Sequence, residues 1–101
     1  MSDDRQTGRT ERALKLAIQL TSNGRVLVVV AKRQEVKLFE QRIRKMNEEL
    51  TAEIDVMEAG RVVGHDIRGR TYAHFIFDHA VWDLESPLPR LAWEEAKRCI
   101  R

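Results

Sequence analysis

The chain has 101 residues, of which 43% are hydrophobic and 34% are charged, and its formal net charge is +2. This length suffices for one modest core, so residues 1–101 are predicted to form a single domain. No apolar run is long enough to cross a bilayer, and the lone cysteine, Cys99, excludes an internal disulfide and favours a reducing, cytoplasmic location.

The first predicted helix spans Thr10–Ser22. Apolar residues recur there at helical spacing, and Thr10 is a residue type that caps helix N-termini. Asn23 and Gly24 tolerate the left-handed backbone conformation and therefore predict its end. The polar residues Met1–Thr7 before the helix are predicted to be flexible.

The most clearly marked strand is Val26–Val30, a continuous apolar run rich in β-branched residues. Such a run is typical of a strand that is buried on both faces, as in a parallel sheet. A second helix is predicted over Gln34–Leu50, because apolar residues recur there at intervals of three and four.

Shorter elements follow in the second half of the chain. Glu53–Met57 is predicted as a strand, and Arg61–Val63 as a brief strand that pairs back on it in a small hairpin. Ala73–Phe77 is the next strand, and Ser86 is expected to cap a last helix that holds both prolines in its first turn.

The order of these elements predicts an α/β domain with a three-layer-like arrangement. We expect a small, mostly parallel sheet of three to four strands, with three main helices packed on it.

Gly8, Arg9 and Thr10 stand where the first helix is predicted to begin, and they resemble the last three positions of a Walker A loop, which usually ends in Gly-Lys-Ser/Thr. In such a loop backbone N–H groups surround phosphate, the lysine neutralises charge and the hydroxyl binds magnesium. Two features differ here, since Asp3 stands in place of the first glycine and Arg9 in place of the lysine. A plain capped helix is the alternative interpretation.

Asp78 directly follows the aromatic run of the last predicted strand. Ligands of open α/β sheets bind outside the carboxyl ends of the strands, so Asp78 is a candidate ligand for a metal ion or for a phosphate-bearing cofactor. The alternative is that Asp78 only opens a turn, which is common for aspartate after a strand.

Two further stretches follow Gly8–Thr10 in the order found in nucleotide-driven motors. They are VLVVVAKR at Val26–Arg33 and RGRTYAHFIFDHA at Arg68–Ala80, the second similar to a Walker B region. From Thr7 to Trp82 the chain thus resembles a truncated, degenerate P-loop NTPase domain of phage terminase large subunits and superfamily-two helicases. The resemblance implies a phage origin and a site for ATP and Mg²⁺, formed by Gly8, Arg9, Thr10 and Asp78, with Asp78 as the metal ligand.

This chain differs from that family at the positions that carry the family's chemistry. His79 stands where the family has the glutamate that orients the attacking water, and no strand precedes the first helix to feed a loop. Phosphoryl transfer needs several parts to act together, so efficient hydrolysis is not expected and no catalytic residue is assigned.

Three residues are candidates for nucleic-acid binding. Arg68 and Arg70, on either side of a glycine, could contact phosphate, and the indole of Trp82 could stack on a base. The alternatives are a solvated turn for the two arginines and closure of the core for Trp82.

These observations favour a non-enzymatic function. The leading hypothesis is a binding or regulatory module that contacts a protein or nucleic-acid partner in DNA metabolism or in the takeover of a host process. The second hypothesis is a weak nucleotide-binding ATPase that a second copy or another chain completes. Because a sheet of this size presents an open edge, a homodimer or a complex with another protein is expected.

Overall fold

The computed structural model describes residues 2–64 and 71–100, with side chains for residues 11–49, 52–64 and 71–100. The elements, in chain order, are α1 (Ser2–Leu20), β1 (Val26–Val30), α2 (Arg33–Met46), β2 (Ile54–Glu58), α3 (Ala59–Val63), β3 (His74–Phe77), α4 (His79–Trp82) and α5 (Leu88–Arg98). Two 3₁₀ turns, Thr21–Asn23 and Glu48–Glu53, follow α1 and α2. None of the helices that the structure describes has the length and apolar character needed to cross a membrane.

The three strands form a parallel sheet in the order β2-β1-β3. Val26 of β1 lies opposite Ile54 on one side and opposite His74 on the other. All five residues of β1 are buried, which is the pattern expected for a central parallel strand. The predicted α/β class with a small parallel sheet is therefore confirmed.

Helices cover both faces of the sheet. The alternation of side chains along β1 directs Val26, Val28 and Val30 to one face, where they pack with buried residues of α1 and α2. Leu27 and Val29 point to the other face and pack with α3, α4 and α5. The result is a three-layer domain with a core on each side of the sheet.

The first helix begins earlier than the sequence indicated. It starts at Ser2 rather than at Thr10, so it includes residues 2–7, which were predicted to be flexible. Thr10 lies within the helix and is not its N-cap. Polar residues, here with Gly8 among them, can extend a helix whose later turns are held by tertiary packing, in this case by Leu14 and Ala17, and periodicity alone could not locate its start.

The predicted hairpin after β2 is wrong. The residues from Ala59 to Val63 form α3, in which Ala59 and Val62 are fully buried and the helix packs against α5. Ala59 and Val62 are three positions apart in the sequence and therefore lie on one face of the helix. In a run of so few residues, the apolar pattern fits the helical and the strand period equally well.

The last helix begins close to the predicted place. Ser86 Oγ accepts a hydrogen bond from the N–H of Leu88 at 3.2 Å, and Pro89 lies in the first turn. At the other end the N–H of Tyr72 donates to the carbonyl of Cys99 at 2.8 Å. The end of the helix is thereby tied to the chain that enters β3.

Gly24 forms the turn into β1, and its φ of 133° and ψ of −165° belong to a region that essentially only glycine adopts. A Cβ at this position would also lie 3.1 Å from the Cβ of Ala73. The close approach brings the beginnings of β1 and β3 together.

Replacing Gly24 with alanine is expected to lower the free energy of unfolding by about 1–3 kcal/mol, because the side chain would have to adopt a strained conformation in a crowded place. Urea denaturation would measure the loss. Gly60→Ala is the matched control, since no atom lies within 4 Å of its added Cβ and alanine favours the helix. Equal losses in the two variants would contradict this assignment.

Candidate functional site

The carboxyl ends of β1 and β3 lie side by side, and polar side chains gather there. Lys32 and Glu35 follow β1, and Asp78 directly follows β3, as the sequence predicted. The N–H of Asp78 donates to the carbonyl of Val29 at 2.9 Å, which fixes the start of α4 against the central strand. This edge of the sheet is where ligands of open α/β folds are bound.

The Asp78 side chain is buried in this place, with 3% of its surface exposed. Its Oδ1 atom has no hydrogen-bond partner, and Nδ1 of His79 lies 3.5 Å away, too far for a good hydrogen bond. A buried carboxylate oxygen without a partner is energetically costly, so Asp78 marks a candidate ligand position.

Glu35, in the first turn of α2, faces the same carboxylate. Burial raises the pKa of Glu35 above its ordinary value, and the negative charge of Asp78 raises it further. A backbone hydrogen bond from Lys32 and the charges of Lys32 and His79 oppose this rise. The negative charge of Asp78 therefore disfavours the ionised form of Glu35 across the end of β1.

A surface pocket of about 500 Å³ opens beside these acids. It is lined by residues after β1, among them Lys32 and Glu35, and by residues after β3, among them Asp83 and Leu84. The pocket is mildly acidic, which suits cations better than the phosphates of a nucleotide.

The predicted phosphate loop is not assembled here. Gly8, Arg9 and Thr10 lie within α1, and their side chains are outside the described residues. Glu11, the next residue, lines a small pocket with Arg42 and Lys45 near the end of α2, whereas Asp78 interacts with Glu35 near its beginning.

Glu35 and Lys45 are separated by about 15 Å along the helix axis, at 1.5 Å per residue. The start of the described part of α1 and the Asp78 carboxylate therefore lie toward opposite ends of α2. The structure does not bring Gly8, Arg9 and Thr10 together with Asp78 around one ligand.

The residues that are present do not fit ATP and Mg²⁺. Asp78 supplies one carboxylate, and His79 stands where the resembled family has the glutamate that orients the attacking water. Among residues 2–64 and 71–100 no group of three histidine, cysteine, aspartate or glutamate side chains is arranged to hold a metal ion.

Of the three residues predicted to bind nucleic acid, the structure describes Trp82 but not the two arginines. Arg68 and Arg70 lie outside the described residues. Trp82 ends α4 with 51% of its surface exposed, so it does not close the core. An exposed indole is available to a base or to a partner protein.

Trp82 belongs to a cluster of four aromatic side chains, Phe75, Phe77, Trp82 and Trp93, which we call the aromatic cluster. Its ring centroids lie 4.7 Å apart for Phe75 and Trp93 and 5.5 Å apart for Phe77 and Trp82. The two indoles are 5.6 Å apart, and Trp93 is 37% exposed. Trp93 was not predicted as a site residue, although its position at the edge of the apolar stripe of the last helix was a usable signal.

The aromatic cluster lies along the outer strand of the sheet. Within the described part of the chain, no strand pairs with the other edge of His74–Phe77, although Tyr72, just before β3, pairs with Ile100 after α5. The strand His-Phe-Ile-Phe contains neither lysine, glutamate nor proline, the residues with which proteins commonly protect such an edge. The predicted open edge is thus found next to half-exposed aromatic rings.

Comparisons with protein-family models, with curated proteins and with solved structures returned no match to this chain.

The raised pKa of Glu35 predicts a pH dependence of stability. The folded protein holds the Glu35 proton more tightly than the unfolded chain does, so stability should fall as the pH rises from the ordinary glutamate value of 4.5 through the raised pKa. Glu35→Gln should remove this part of the fall and make the protein more stable than the wild type at neutral pH. Urea denaturation between pH 4 and pH 8 would measure both effects.

Glu40→Gln is the control, because Glu40 lies on the same helix with its side chain exposed. The assignment to Glu35 fails if both variants show the same pH profile.

Proposed function

We propose that this chain is a binding module without hydrolytic activity, and that it holds a protein partner by adding an extended strand of that partner to the open edge of β3. The observation that carries the proposal is the half-exposed aromatic cluster beside that edge. An edge strand supplies backbone hydrogen bonds to a partner strand, and neighbouring apolar side chains supply affinity.

The aromatic cluster has the properties of a binding surface rather than of a core. Two tryptophans are exposed by 51% and 37%, although each is in contact with other rings. Tryptophan combines a large apolar area with few rotatable bonds, so its burial in a complex stabilises the complex at a small cost in entropy. The surrounding rings hold the indoles in place before a partner arrives.

The edge of β3 also lacks the features that prevent strand addition. His74 is its only ionisable side chain and is half-buried. Natural sheets usually carry charges, prolines or bulges where pairing with other chains must be avoided. Their absence here supports an edge that is used.

The arrangement around Asp78 supports the absence of hydrolysis. His79 takes the position of the water-orienting glutamate, and Gly8, Arg9 and Thr10 lie in a helix toward the far end of α2. The phage origin, the role in DNA metabolism and the cytoplasmic location rest on the sequence alone and stay predictions.

The aromatic cluster contains both tryptophans of the chain, so intrinsic fluorescence reports on this surface directly. We expect tryptophan emission to shift to shorter wavelength when an extended peptide of alternating valine and threonine is added, because the indoles leave water. Trp82→Ala should abolish most of the shift. Leu38→Ala, which removes an apolar side chain with 46% exposure from α2, is the matched control.

Single-stranded DNA is the competing ligand in the same assay. DNA that stacks on Trp82 would quench the tryptophan emission, and this quenching would weaken steeply as salt is added. If DNA quenches in this way and the peptide causes no shift, the partner is a nucleic acid and not a protein.

The second candidate function is weak nucleotide binding completed by another chain, and one observation favours it. The Oδ1 atom of Asp78 is a buried carboxylate oxygen without a hydrogen-bond partner, as expected of a ligand position that an added cation would satisfy.

If this candidate is correct, Mg²⁺ with ATP should raise the melting temperature and Asp78→Asn should remove the rise. Under the proposed function, neither Mg²⁺ nor ATP changes the melting temperature, and no phosphate is released from ATP.

A further inference from the structure

We infer that the pocket at the carboxyl edge of the sheet binds a short aliphatic diamine. One ammonium group is held between Glu35 and the buried carboxylate of Asp78, and the second is held by Asp83. The pocket has a volume of about 500 Å³, which leaves room for such a molecule, and it lies where open α/β sheets bind their ligands. Its described lining contains no residue of β3, so this site is separate from the strand edge of the proposed function.

The buried carboxylate of Asp78 is the observation that points to a cation. Only 3% of this residue is exposed, and among the described residues its Oδ1 atom has no hydrogen-bond partner, since Nδ1 of His79 is 3.5 Å away. A charged donor stabilises such an atom more than a neutral donor does. Ala80, two residues later, lines the pocket, and so does Glu35, which faces the carboxylate. Asp78 therefore lies directly behind the pocket wall.

Glu35 connects this carboxylate to the open part of the pocket. Burial raises the pKa of Glu35, and the negative charge of Asp78 raises it further, so the ionised form of Glu35 is disfavoured. A cation between the two carboxylates would stabilise that ionised form and would give Oδ1 of Asp78 a donor. Because the Glu35 side chain is only partly buried, a change of its rotamer opens this position to the pocket.

The set of acceptors favours an ammonium group over a metal ion. In the described part of the chain, no three histidine, cysteine, aspartate or glutamate side chains are arranged to coordinate a metal. A primary ammonium group has three N–H donors and can be held by the oxygens of two carboxylates and by water. A quaternary ammonium group has no N–H to donate, so it does not satisfy Oδ1 of Asp78.

The rest of the pocket suits an aliphatic chain that ends in a second ammonium group. Ala31, Ala80 and Leu84 supply apolar surface, and Asp83 adds a third carboxylate to those of the first ammonium site. Lys32 also lines the pocket, but its side chain is exposed, so water and salt screen its charge. Three acids and one lysine leave an excess of negative charge that matches a dication.

Isothermal titration calorimetry of the full chain with diaminobutane at neutral pH tests the inference. We expect the chain to bind diaminobutane at one site. Butylamine, which has a single ammonium group, should bind about tenfold more weakly or worse, because it leaves Asp83 without a partner. Butanediol has a similar length without any charge and should not bind.

Two substitutions locate the first ammonium group. Asp78→Asn and Glu35→Gln each remove one carboxylate charge with little change of shape, and each should lower the affinity for both amines by about tenfold or more. Glu40→Gln, at an exposed position of the same helix, is the matched control and should leave both affinities unchanged. Melting temperatures check that the variants are folded, and Glu35→Gln is sufficient if Asp78→Asn is not.

Two further substitutions test the rest of the pocket. Asp83→Asn should lower the affinity for diaminobutane to that of butylamine and leave butylamine binding unchanged, since only the diamine reaches Asp83. Lys32→Gln should strengthen the binding of both amines, because it removes a positive charge from the pocket wall. A variant that only disturbs the fold does not gain affinity, so this increase separates electrostatic recognition from structural damage.

Three results overturn the inference. The first is that diaminobutane does not bind, or that Glu40→Gln weakens its binding as much as Glu35→Gln does. The second is equal affinity for diaminobutane, butylamine and N-acetyl-lysine amide, which would assign the pocket to a single lysine side chain of a partner. The third is stabilisation by Mg²⁺ that Asp78→Asn removes.

The first two results leave the proposed function standing, because the peptide assay at Trp82 and Trp93 tests it separately. The third would instead support the second candidate function.

Discussion

The burial of β1 on both faces is the constraint on which the rest of this structure depends. Five consecutive apolar residues leave no face of this strand for water, so helices must pack above and below it and a strand must pair on each side. Since both neighbours run parallel to β1, their carboxyl ends meet at one edge of the sheet. The proximity of Glu35 and Asp78 follows from that arrangement.

The domain thus presents two surfaces of different character. At the carboxyl edge, a buried carboxylate and a second acid of raised pKa adjoin an open pocket. Along β3, aromatic rings remain half exposed beside unpaired backbone. The first surface lies where open α/β sheets bind their ligands, but it lacks the set of residues that would bind a nucleotide. The second offers apolar rings and backbone hydrogen-bonding groups, and the proposed function rests on it.

Sequence patterns predicted the parts of the fold that depend on local periodicity. The β-branched run of β1, the position of Asp78 after β3 and the turn at Gly24 were all correctly indicated. Errors arose where a short segment was compatible with two periods, as at Ala59–Val63, or where packing extended a helix into polar sequence, as at the start of α1.

The candidate site was only partly predictable for a related reason. The linear order of motifs placed Gly8, Arg9 and Thr10 with Asp78, but order along the chain does not determine which ends of helices meet. The pairing of Trp82 with Trp93 joins residues from two helices and depends on how α5 crosses the sheet. A pattern within a single element could show that Trp93 lies at the edge of an apolar stripe, but not which rings it would contact.

The position of β1 at the centre of the sheet also has a kinetic consequence. β1 comes first among the strands, and both strands that pair with it come later in the chain. Two helices and another strand separate Val26 from His74, its partner in β3. Closing such long loops slows folding, because the entropy is lost before the contacts form. During synthesis, the apolar strand β1 is therefore exposed before the segments that cover it have been made. Chaperones would matter most during that interval.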